Sequence, residues 1–139
     1  MDHALYASLA RRASDFVDAG EHQQALEILA QLVESDLPDF DKAVMSLNIA
    51  TVRDKMGDHE AALASYADAL EYERRTDSYF VAQQYAAYLA KLGRYDEGVS
   101  VYQALGERPD VKPEDRDMFA ANVVTLRKLA GHEKLPGKA

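Results

Sequence analysis

The sequence of 139 residues predicts an all-α protein built from tandem helix-turn-helix repeats, seven helices in all. Glycines recur at Gly20, Gly57, Gly93 and Gly131, spaced 37, 36 and 38 residues apart, which is the period of a two-helix unit. Each of the first three closes one segment with apolar residues at helical spacing and precedes another. Five residues beyond each of them stands a small residue, Ala25, Ala62 and Gly98, where two helices cross closely. A glycine between two helices supplies the positive φ that a tight helix-ending turn requires.

Helices are expected at 3–19, 22–35, 41–56, 59–75, 78–92, 95–106 and 114–130. The first follows Asp2, whose carboxylate suits an N-cap, and ends at Gly20. The second carries the apolar set of Ala25, Leu29 and Leu32 and stops before Pro38. The third and fourth flank Gly57. The fifth and sixth flank Gly93, with Asp77 ahead of the pair as a favourable acid for the helix dipole. Pro109 punctuates the next join, and Asp110 and Pro113 mark the start of the seventh helix. Its segment Asn122–Gly131 matches Asn48–Gly57 at Asn, Thr, Arg and Gly, so it reads as a further first helix in the same register. Residues 132–139, with Pro136 and Gly137, are expected to form a flexible tail.

Composition bounds the function. With 47% apolar and 29% charged residues, the chain suits one soluble domain with a buried core. No apolar run approaches the roughly 20 residues of a membrane span, and Asp2 before a short, interrupted apolar stretch does not resemble a secretory leader. A cytoplasmic protein is therefore expected. The absence of cysteine excludes disulfides, thiolate metal sites and a cysteine nucleophile. A net charge of −8 disfavours nucleic acid and anionic membrane surfaces as partners.

Aligned on the glycines, the segments Phe16–Leu32, Val52–Leu70 and Leu89–Leu105 show the residues that carry a family resemblance. The second unit has Ala50, Gly57, Ala62, Tyr66 and Ala69; the third has Ala86, Gly93, Tyr95 and Tyr102; the first has Ala13, Phe16, Gly20 and Ala25. In this pattern the chain resembles the tetratricopeptide repeat (TPR) family, whose repeats of about 34 residues place small residues at helix crossings and aromatics beside them. It departs from the family at Gly98 and Leu105, where alanine is usual. The resemblance implies a right-handed α-solenoid: a single domain over 1–131, with repeats at about 6–39, 43–76 and 79–112 and a capping helix at 114–130. An ordinary helical bundle and an RNA-reading helical repeat are the alternatives, the latter disfavoured by the acidic balance.

The resemblance further implies a concave groove lined by first helices, in which a partner peptide or helix is held. The residues it places there include Arg11, Val44, Leu47, Asn48, Thr51, Lys55, Phe80, Gln84, Lys91, Met118 and Asn122. Amides at Asn48, Gln84 and Asn122 form a ladder suited to an extended backbone, while Val44, Leu47, Phe80 and Met118 receive side chains. Arg11, Lys55, Lys91 and Lys128 outnumber Asp18 and Asp54 at these positions, so the groove is expected to favour an acidic or amphipathic partner. The carboxylate clamp of some family members is not matched: its positions hold Ala10, Ser14, Asn48, Phe80 and Gln84, and only Asn48 fits.

No phosphate-binding loop, dinucleotide fingerprint or zinc-binding His-Glu-x-x-His occurs, so neither an enzyme nor a cofactor is expected. His22 and His59 share a repeat position and read as packing residues. The expected function is a protein-interaction scaffold. The alternatives are a self-assembling repeat unit and a small acidic secretion chaperone of the same repeat type.

Overall fold

The four period-marking glycines all adopt positive φ, between 77° and 84°. The first three do so inside one recurring turn. The Gly20, Gly57 and Gly93 amides donate to Val17, Asp54 and Ala90, and the following amides of Glu21, Asp58 and Arg94 reach back to Phe16, Arg53 and Leu89. This pair of bonds satisfies helix-terminal carbonyls and turns the chain directly into the next helix.

The protein, here a computed structural model, is described over residues 1–131; the expected tail at 132–139 lies outside the described residues. Seven helices occur among them and no strand: α1 (His3–Asp18), α2 (His22–Glu34), α3 (Asp39–Lys55), α4 (His59–Glu73), α5 (Phe80–Lys91), α6 (Tyr95–Gly106) and α7 (Pro113–Leu129). None is long and apolar enough to cross a membrane. Asp2 caps α1 by accepting the Leu5 amide, and Asp58, which the sequence did not single out, caps α4 through Ala61. Asp77 and Asp110 stand three residues ahead of their helices. Asp110 instead pairs with Arg108, which holds its carboxyl below the usual range.

The chain divides into two compact units, Met1–Val81 and Ala82–Ala139. In the first, α2 packs on α1 and α3, and α3 on α4. Ile28, Leu29 and Leu32 of α2 meet Ala13 of α1 and Met45 and Val52 of α3 in one core. Ala25, Ala43, Ala50, Ala62 and Ala69 are fully buried, so helix backbones approach closely where these methyls meet. Arg53 Nη1 of α3 donates to Ser65 Oγ of α4 at 2.7 Å, tying the pair together beside their apolar contact.

In the second unit α6 packs on α7, with the Tyr102 and Phe119 rings 5.8 Å apart, centroid to centroid. Gly98 sits at a close approach: a Cβ there would lie 3.0 Å from Leu126 Cδ1 and 3.4 Å from the Ala86 carbonyl oxygen, so an alanine would have to push the Leu126 side chain aside by a few tenths of an ångström. The departure from alanine noted in the sequence is thus a packing feature. Arg116 fastens the α6–α7 connection by donating to the carbonyls of Gly106 and Arg108.

Candidate functional site

A cavity of about 200 Å³ opens between α1 and α3 of the first unit. Its walls are apolar, from Ala10, Val17, Met45 and Val52, and its polar groups are the Ser14 and Thr51 hydroxyls and the Asn48 amide. The arrangement follows from helical spacing: residues 45, 48 and 52 fall on one face of α3, as do 10, 13 and 17 on α1. Thr51 is exposed and its hydroxyl donates back to the Leu47 carbonyl at 3.2 Å, which fixes the rotamer and leaves oxygen lone pairs free to accept. Asn48 is half-buried and offers both a donor and an acceptor. Apolar walls with a few placed polar groups suit an extended or helical peptide segment.

Two of the residues named from the sequence, Asn48 and Thr51, meet in this cavity. Arg11 and Lys55 are exposed on α1 and α3 but do not line it. Val44 is half-buried and leans on the core. Phe80, 41% exposed, presents its ring at the start of α5. Leu47 differs from expectation: it is only 7% exposed and packs inward, so it offers no receiving surface. The cause is the position of α3, which packs against α2 and α4 and therefore buries a wider arc than one amphipathic stripe.

Gln84, Lys91, Met118 and Asn122 belong to the second unit. Gln84, Lys91 and Met118 are exposed, and the Lys91 ammonium lies 5.9 Å from the Tyr88 ring centre. Asn122 is half-buried and its side chain is hydrogen-bonded to the Tyr102 hydroxyl, so this amide is partly committed inside the unit. Burial raises the Tyr102 phenol above its ordinary range, and the Asn122 bond offsets part of that rise. The paired histidine positions also separate. His22 Nδ1 is buried without a partner, whereas His59 is largely exposed and its Nδ1 lies 2.9 Å from Asp54 Oδ1, so His59 is not a packing residue.

Ser14, Val17 and Met45 were not among the sequence-derived site residues, yet they line the same cavity. The signal that finds Ser14 is its helical offset from Ala10 and Val17, which places all three on one face of α1. No known family model matches the chain, and no curated protein shows significant similarity to it.

Proposed function

We propose that the chain is a protein-interaction scaffold of the tetratricopeptide type, which holds a peptide or helix of a partner protein against α1 and α3. The observation that supports this reading is the α1–α3 cavity, where the Asn48 amide and the Thr51 and Ser14 hydroxyls stand among apolar walls. Such groups bind backbone and side chains without a reaction to perform, so the reading is of a binding module and not a catalyst. The three matching glycine turns and the positive φ of Gly131 support the repeat assignment, and the right-handed solenoid belongs to the same proposal. A cytoplasmic setting and an acidic or amphipathic partner complete it.

The test is a selection from a displayed library of random short peptides, followed by titration calorimetry. Selected peptides should bind the wild-type chain and lose about tenfold or more in affinity to Thr51→Trp, which plugs the cavity from an exposed position. Selected peptides that bind Thr51→Trp unchanged would place recognition elsewhere. The self-assembling alternative draws on α7, where Val124 and Leu129 are exposed. A mass that rises with concentration in light scattering would favour it.

A further inference from the structure

A second concavity, of about 600 Å³, lies between α2 and α4 with α3 as its floor. It shares no lining residue with the α1–α3 cavity. Its floor is a single stripe of α3, Lys42, Ser46, Ile49 and Arg53, at the 4-3-4 spacing of one helix face. The eleven steps along the helix from Lys42 to Arg53 rise about 16 Å, so a cation marks each end of a trough of that length. Between them the floor is neutral, Ser46 and Ile49, and Ala30 and Val33 add apolar surface on the α2 wall.

The two ends are built differently, and both suit a carboxylate. At one end Ser65, itself 2% exposed and anchored to the Ala61 carbonyl, accepts a single N–H from Arg53. Arg53 makes no ion pair among the described residues, which leaves most of its five N–H donors for a ligand. At the other end Lys42 and Arg75 both stand over the Tyr72 ring, 5.9 and 5.6 Å from its centre. Arg75 reaches Asp39 only at 3.5 Å.

Glu34, Asp68 and Glu71 also line the trough, so its charges balance and a polyanion gains little from it. Glu71 is already 3.4 Å from Arg74, while Glu34 and Asp68 are exposed on the two walls, placed to accept backbone amides. In an extended segment residues one and five lie about 13 Å apart, and side chains one, three and five face the same way, so the reach of the end side chains covers the remaining few ångströms.

We infer that this trough binds an extended segment of a partner protein that carries an acidic residue at each end of a five-residue stretch and an apolar one at its centre. The terminal carboxylates meet Arg53 and the Lys42–Arg75 pair, and the central side chain lies on Ile49. This site is separate from the α1–α3 cavity, and the inference stands whether or not that cavity is used.

The test is fluorescence anisotropy with labelled acetyl-Glu-Ser-Leu-Ser-Glu-amide on the full chain, beside its counterpart with both Glu replaced by Gln. The Glu peptide should bind at least about tenfold more tightly, and Arg53→Gln should cut that preference by about threefold or more, leaving the part owed to Lys42 and Arg75. Ala30→Trp, a substitution at an exposed wall position that touches no charge, should abolish binding, whereas Thr51→Trp should leave it unchanged. Equal binding of both peptides, no binding, persistence in Ala30→Trp or loss in Thr51→Trp would each overturn the inference.

Discussion

The Glu73 carboxylate accepts the amide of Val81 at 2.6 Å, although the helix that contains Glu73 has ended and the next has just begun. The same oxygen accepts from the Ser78 hydroxyl at 3.1 Å, and Ser78 Oγ in turn accepts the Phe80 amide. A carboxylate only 4% exposed is thus held by the Val81 amide in the first turn of α5 and by the Ser78 hydroxyl just ahead of it, where the helix dipole favours negative charge. Glu73→Ala leaves the Val81 amide and the Ser78 hydroxyl without this acceptor and should cost about 1–3 kcal/mol, read as a lower midpoint in urea unfolding. Glu73→Gln, which keeps an acceptor oxygen, should lose less. Equal midpoints for wild type and Glu73→Ala would remove the capping role.

Ala62 is fully buried where α4 crosses α3. A leucine there forces the two backbones apart, and Ala62→Leu should destabilise by about 1–3 kcal/mol. Thermal melting followed by circular dichroism reads the loss. An unaltered melting temperature would mean that the crossing is not tight at this residue.

Burial raises the Tyr6, Tyr66 and Tyr102 phenols above their ordinary pKa, most of all through desolvation of the phenolate. The folded chain therefore keeps these protons at a pH where the unfolded chain, with tyrosines near about 10, has released them. Stability from this source is fully present below that value and is lost as pH rises through the folded-state pKa values. Melting temperature should fall as the pH passes about 10, and Tyr66→Phe should make the fall shallower. An identical alkaline slope in Tyr66→Phe would contradict the assignment.

Much of this architecture is legible in the chain itself, because glycine is the residue that enters a left-handed turn at no steric cost and the period repeats. Helix existence and order follow from that punctuation. The start of α5 does not: residues 78 and 79 read as helical, but the Glu73 network holds them outside the helix until Phe80. Leu47 reads as a groove residue from its repeat position alone, and only the packing of α2 and α4 on either side of α3 reveals that it is buried. The Lys42–Ser46–Ile49–Arg53 stripe is visible as spacing, yet nothing in the sequence says that α2 and α4 stand apart enough to leave it open. Asn48 and Asn122 occupy equivalent positions, but one faces a cavity and the other is bonded to Tyr102.

The most direct measurement of the scaffold reading is a two-dimensional ¹⁵N–¹H spectrum of the labelled chain, titrated with a peptide selected against it. Shifts concentrated at Ser14, Asn48, Thr51 and their helical neighbours on α1 and α3 are expected, with the rest of the chain unmoved. Shifts absent from α1 and α3, or a peptide that leaves the whole spectrum unchanged, would contradict that reading.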